Sequence, residues 1–269
     1  MRNRAIAMAL AAGIMSATAS LAPAAVARRL SAPLPDADPA IWVVNDHDTT
    51  IYLFGTFHAL DGRSTWFNDE VRTAFAASDE LVLETVVPER GAMTPKALKA
   101  GPSSFLAASR LAISAGRVQG MRADNGADEV LRHAAEYWGK PVGGLESFAA
   151  QLGMFDRLPA QAVAPGPATP AQARAAMNDL SLVMGEMQSA WNRGDWRLFA
   201  TMLTDMRLGS PQSYNLMFAQ RNAHWASWIE QRLQRPGIVF VAVGTGHLVG
   251  RDSIQAKLAL RGFRSARIN

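Results

Sequence analysis

The sequence of 269 residues contains no cysteine. Disulfides, thiolate zinc sites, a cysteine nucleophile and a lipid-modified N-terminal cysteine are therefore excluded together. Any metal must be held by His, Asp, Glu or Asn. Lysine is scarce too, since 23 of the 27 basic residues are arginine. Against 23 acidic residues they leave a net charge of +4. The pI of 9.8 comes from scattered arginines and not from a basic stripe, so nucleic acid is not an expected partner. Several catalytic signatures are missing as well: no G-x-S-x-G elbow, no Walker lysine and no H-E-x-x-H occur. Gly244-Thr245-Gly246 lacks the third glycine of a dinucleotide fingerprint, because Val249 stands where it belongs.

Long apolar runs are absent except at the start. Arg2 and Arg4 precede an uncharged stretch from 5 to 22, which closes on Ala25-Val26-Ala27. That is the form of an export signal cleaved near Ala27. Membrane contact is expected only through this segment, if it stays uncleaved. Its loss removes two arginines and leaves 25 basic against 23 acidic residues. The mature chain is then nearly neutral, and its expected location is the periplasm or the medium.

What is present is 49% hydrophobic residues, enough for a sizeable core. Residues 28–40 read as an extended leader, with Pro33, Pro35 and Pro39 blocking helix. A single domain is expected over 41–269. Ile41–Val44 and Thr50–Phe54 suggest a hairpin, and Glu80–Val87 a strand ended by Pro88. A helix is expected from Ala127 to Trp138, capped by Asp124 or Asn125 and closed by Gly139. A short strand at 141–145 and a helix at 147–157 follow. The Pro/Ala/Gly-rich linker 159–170 opens a helical insert reaching to about 236. Ile238–Val243 is the most strand-like run, and a helix at 253–261 and a strand at 264–268 close the chain. Residues 94–122 are Ala-rich and ambiguous. The alternation predicts an α/β fold with a mixed, largely parallel central sheet flanked by helices.

Two strands end alike. Ile51-Tyr52-Leu53-Phe54 runs into Gly55-Thr56-Phe57-His58, and Val239-Phe240-Val241-Ala242-Val243 runs into Gly244-Thr245-Gly246-His247. Ligands in open α/β sheets gather at the carboxyl ends of strands. Neighbouring strands would thus bring His58 and His247 to one crevice, with Gly55, Gly244 and Gly246 permitting the turns. Glu84, near the end of its own strand, would join them. Two imidazoles and a carboxylate are a plausible divalent-metal set with open positions for water. The plainer alternative is solvated or backbone-bonded histidines. His47 in a turn, and His133 and His224 in helices, lack partners at ligand spacing.

Over 41–268 the chain resembles the TraB/GumN family, whose wider kinship includes Tiki, erythromycin esterase and ChaN-like proteins. The matching pieces are Leu53-Phe54-Gly55-Thr56-Phe57-His58, Leu83-Glu84-Thr85, Gly126-Ala127-Asp128, Gly144-Leu145-Glu146, Trp191 with Gly194-Asp195, Arg221-Asn222 with Trp225, and the run from Val241 to Gly250. The resemblance implies a sheet of two related halves. It also implies a divalent-metal-dependent hydrolase, metalloprotease-like, working with manganese, cobalt or zinc on the two G-x-x-H histidines and Glu84. A metal there would polarise a carbonyl and acidify bound water. Arg221 becomes a candidate for binding an oxyanion or a substrate carboxylate, and Asn222 for orienting a ligand or water. Glu146 becomes a candidate base, or an ion-pair partner of a nearby arginine. Trp191 and Asp195 read as a core anchor and a helix cap. Between Glu84 and Gly126 the chain is short for the family. The expected substrate is a peptide or a small ester or amide. The alternatives are a non-catalytic periplasmic protein binding metal or haem, and an accessory factor in polysaccharide export.

Overall fold

The structure, a computed structural model, describes residues 34–87, 104–159 and 169–269, with side chains in the second stretch described outside 104–110. The N-terminal segment expected to be a signal, and most of the 159–170 linker, lie outside the described residues. Strands β1 (Ile41–Asn45) and β2 (Thr49–Thr56) are followed by α1 (Asp69–Ala77) and β3 (Glu80–Leu83). Then come α2 (Ser104–Val118), α3 (Ala127–Tyr137), β4 (Val142–Gly144) and α4 (Phe148–Asp156). The helical insert holds α5 (Pro170–Asn192), α6 (Arg197–Gly209), α7 (Pro211–Tyr214) and α8 (Gln220–Arg232), with a π-helical stretch, Asn215–Ala219, joining the last two. The chain ends with β5 (Gly237–Gly244), a 3-10 turn (Thr245–Leu248), α9 (Ile254–Ala259) and β6 (Ser265–Arg267).

The sheet order is β4-β3-β5-β2-β1-β6. The four strands β4, β3, β5 and β2 run parallel, while β1 is antiparallel to both its neighbours. The expected mixed, largely parallel sheet is thus present. Period-two alternation explains why helices cover both faces. On β5, Val239, Val241 and Val243 pack with Trp225, Ile229, Ile254 and Leu258 on one side, under α8 and α9. Phe240 and Ala242 join the larger cluster on the other side, with Phe54, Phe75, Trp191 and Phe199. Each fully buried side chain of this size contributes roughly 1.5–3 kcal/mol, so the central strand is held from both sides.

Several boundaries differ from the sequence reading. Strand β3 stops at Leu83 because the next donor on β5, the Gly244 amide, bonds the Glu84 side chain at 2.7 Å. The α3 cap position is Gly126, not Asp124 or Asn125, which lie in a preceding 3-10 turn where the Asn125 amide donates to the Leu60 carbonyl. Residues 34–40 of the leader are extended but docked: Asp36 bridges Thr65 and Ala37 is buried. Gly55, Gly244 and Gly246 all avoid positive φ, so the strand exits need no left-handed backbone. Gly55 answers to space instead, because a Cβ there would sit 2.9 Å from the Thr245 hydroxyl oxygen.

Candidate functional site

The parallel register β3-β5-β2 decides where the chemistry gathers. Thr56 pairs with Gly244 and Leu83 with Ala242, so His58, His247 and Glu84 leave three adjacent strands at the same edge. Strand β4 pairs Gly144 with Leu83, and Glu146 continues alongside by donating its amide to the Glu84 carbonyl at 3.0 Å. Helix α8 then supplies Arg221 and Asn222, both buried, from its first turn.

Arg221 is the hub of this edge. Its Nε donates to Glu146 Oε2 at 3.2 Å, and Nη2 to Glu146 Oε1 and Glu84 Oε2, each at 2.6 Å. Its Nη1 donates to the Met217 carbonyl and to His247 Nε2, each at 3.2 Å. A guanidinium carries five N–H donors. All five are therefore spent within the protein, and none remains for the expected oxyanion or substrate carboxylate. The plane also lies over Trp225, with Cζ 4.4 Å from the ring centre. Glu146 is thus the ion-pair partner of this arginine.

The bonds of His247 fix its protonation. Asn222 donates Nδ2 to the Asp252 carbonyl at 2.8 Å, which turns its Oδ1 toward His247 Nδ1 at 2.6 Å. Nδ1 must then carry the proton, and Nε2 accepts from Arg221. The ring is fully buried between Phe218 and Trp225, with centroids at 4.9 and 4.5 Å. Burial and the Arg221 charge outweigh the attraction of Glu84 and press its pKa down to about 3, which keeps it neutral. Asn222 thus orients the imidazole and not a ligand. For Glu84 burial alone would raise the pKa. The Arg221 charge, the two histidines and the Gly244 amide prevail and lower it to about 2. Glu146 behaves otherwise: burial raises its pKa despite Arg221, and its side chain remains 16% exposed.

His58 is held separately. Its Nδ1 lies 2.9 Å from Asp128 Oδ1, in the first turn of α3. The ring lies within electrostatic reach of Glu84 and His247. The sequence carried Asp128 only within the matching piece Gly126-Ala127-Asp128 and gave it no role. The signal was Gly126, two residues earlier: a Cβ there would collide with the His58 carbonyl, whose carbon lies 2.7 Å away. Only glycine lets the start of α3 approach the strand exit, where the Ala127 amide donates to the Phe57 carbonyl at 3.0 Å.

The donor set can be tested against a divalent metal. Both imidazoles meet the outer requirement, since each is anchored through Nδ1 to an oxygen and would offer Nε2. The inner requirement is not met in this arrangement. His247 Nε2 already faces the Arg221 guanidinium, and unit charges about 4 Å apart interact by about 4 kcal/mol even at an effective dielectric of about 20. A dication doubles that repulsion. Among the described residues, the one His/Asp/Glu trio with ligand atoms within 4.8 Å of one another is Asp46, His47 and Asp48, all exposed in the β1–β2 turn. His247 is equally unsuited as an axial haem ligand, because both its ring nitrogens are bonded inside the protein.

The remaining residues take structural places. Trp191 is buried and donates Nε1 to the Gly55 carbonyl at 2.8 Å. Asp195 accepts from the Arg197 amide at 3.0 Å near the start of α6. His133 pairs with Glu129 and Glu136 on the surface of α3. A recess of about 10 Å³, room for about one water, is lined by Trp42, Gly55, Trp191, Trp196 and Thr245 and includes none of the clustered charged residues.

A sheet with buried ionisable side chains at the carboxyl ends of three adjacent parallel strands defines an α/β protein whose candidate site is that edge. The profile of the TraB/PrgY/gumN family matches residues 40–104 and 94–267, and the chain belongs to that family. The two stretches overlap at 94–104, inside the interval read from the sequence as shortened. Neither a curated protein nor a solved structure matches the chain.

Proposed function

We propose that the mature chain is an exported hydrolase of an ester or amide bond, with peptides as the expected substrates. The observation that carries this is the His58–Asp128 pair, an imidazole oriented through Nδ1 by a carboxylate at 2.9 Å, set at the end of a buried strand. A base oriented by a third group is the arrangement general-base catalysis uses. His58 takes a proton from water as the water oxygen attacks the carbonyl carbon. The His58 imidazolium then returns that proton to the leaving group as it departs. Glu84, Glu146 and Arg221 form the charged frame beside the His58–Asp128 pair, and Asn222 holds the neutral His247 next to it. Export is supported by Arg2, Arg4, the uncharged run after them and the Ala25-Val26-Ala27 pattern. Among the described residues no helix is long and apolar enough to cross a membrane.

A second reading, a divalent cation held by His58, His247 and Glu84, is favoured by the Nδ1 anchoring of both rings. Such an ion would supply Lewis-acid polarisation of the scissile carbonyl. One assay separates the readings: digestion of a peptide and ester library by the mature protein, with a chelator or with added manganese, cobalt or zinc. The proposal expects cleavage that survives the chelator and falls about 10²–10⁴-fold in His58→Ala. Cleavage abolished by the chelator supports the metal reading. No cleavage under any condition leaves a binding role.

A further inference from the structure

We infer that Arg221 is the resident cation of this centre: its guanidinium fills the place between Glu84 and His247 that a divalent ion would need, and closes the site to such ions. The inference rests on the proposed function only in taking this cluster as the reaction centre.

Three observations point the same way. A dication bound by His247 and Glu84 needs the Nε2 lone pair and at least one carboxylate oxygen. Nε2 accepts from Arg221 at 3.2 Å, and the Glu84 oxygens accept from Arg221 at 2.6 Å and from the Gly244 amide at 2.7 Å. Next, Arg221 cannot step aside cheaply. Its five donors are all satisfied inside the protein, and its plane is stacked on Trp225. Withdrawing it would strip a buried carboxylate of its counter-charge and leave several N–H groups to find new partners, which burial makes costly. Finally, each carboxylate already has a cationic partner: the one guanidinium bonds both Glu84 and Glu146, each at 2.6 Å. Planar, permanently charged and five-fold donating, arginine delivers to two carboxylates and an imidazole what a coordinated ion would deliver. It does so without depending on metal supply.

Metal uptake measured without substrate tests this separately from hydrolysis. The purified protein would carry His47→Ala, which breaks the exposed Asp46-His47-Asp48 trio and its background binding. It is dialysed against cobalt, manganese or zinc, and the bound ion is counted. Cobalt is also followed by its visible spectrum. No stoichiometric ion is expected with Arg221 in place. Arg221→Met is expected to gain a bound ion that Arg221→Met/His247→Ala loses again. Stoichiometric uptake by the Arg221 protein that His247→Ala or Glu84→Gln removes would overturn the inference. So would an Arg221→Met protein that folds and still binds nothing. Should Arg221→Met not fold, the Arg221 protein decides alone: added manganese, being paramagnetic, is expected to leave the His247 imidazole resonances unbroadened, and their selective loss would overturn the inference.

Discussion

At the scale of single residues, the site separates into side chains that can meet a substrate and side chains that hold others in place. In the proposed reaction His58 belongs to the first group. Asp128, Asn222, Glu146 and Arg221 belong to the second: Asp128 holds His58, Asn222 holds His247, and Arg221 and Glu146 hold each other. The split gives different mutational signatures. Asp128→Asn keeps the size of the side chain but lets its amide present a donor to His58 Nδ1, favouring the wrong tautomer of the base. Hydrolysis is expected to fall about 10²–10⁴-fold with little change in melting temperature, as steady-state kinetics beside a thermal melt would show. Equal loss of both would assign the pair to stability alone. Glu84→Gln should do the reverse. It leaves Arg221 buried with half its counter-charge, a loss of about 3–5 kcal/mol, read as a shift in the denaturant midpoint. If Glu84→Gln costs less than about 1 kcal/mol, the buried pair is not what holds this edge.

At the scale of elements, the strand exits were legible in the sequence, and the links between them were not. Continuous apolar, β-rich runs announced β2 and β5, the repeated G-T-x-H marked their ends, and the observed β3-β5-β2 adjacency then placed Glu84 beside His247. The five-bond saturation of Arg221 joins side chains or carbonyls from positions 84, 146, 217 and 247, and no local pattern encodes such a meeting. Asp128 escaped for a similar reason: its place beside His58 depends on how closely α3 docks, and Gly126 controls that distance. The glycines chosen from the sequence, Gly55, Gly244 and Gly246, were read for backbone freedom, whereas close approach explains Gly55 and Gly126. Gly126→Ala is therefore expected to push the start of α3 off the His58 carbonyl, costing about 1–3 kcal/mol and weakening hydrolysis through the displaced Asp128. The measurement is a melt together with kcat. A variant as stable and as active as the parent would show that the helix yields without consequence.

At the scale of the whole molecule, the buried charges make stability a function of pH. His247 is held neutral, with its pKa lowered from 6.5 to about 3. The unfolded chain therefore takes up a proton near pH 6.5 that the folded chain refuses until about pH 3. Stability consequently falls as pH drops through that window, by up to about 1.4 kcal/mol per pH unit for one proton. Glu84 acts with the same sign lower down, since its pKa falls from 4.5 to about 2. Its contribution is complete above about pH 4.5 and is lost as pH drops toward 2. Glu146, whose pKa is raised, opposes both, because the folded chain binds its proton more readily than the unfolded one. Between pH 6.5 and 4.5 the His247 effect stands nearly apart from that of Glu84. His247→Gln should therefore be less stable than the parent at pH 7, having lost a packed and bonded ring, yet should lose less stability on acidification to pH 4.5. Urea unfolding at half-unit steps of pH would resolve the two slopes. Parallel curves for parent and variant would mean that His247 protonates as readily in the folded protein as in the unfolded chain.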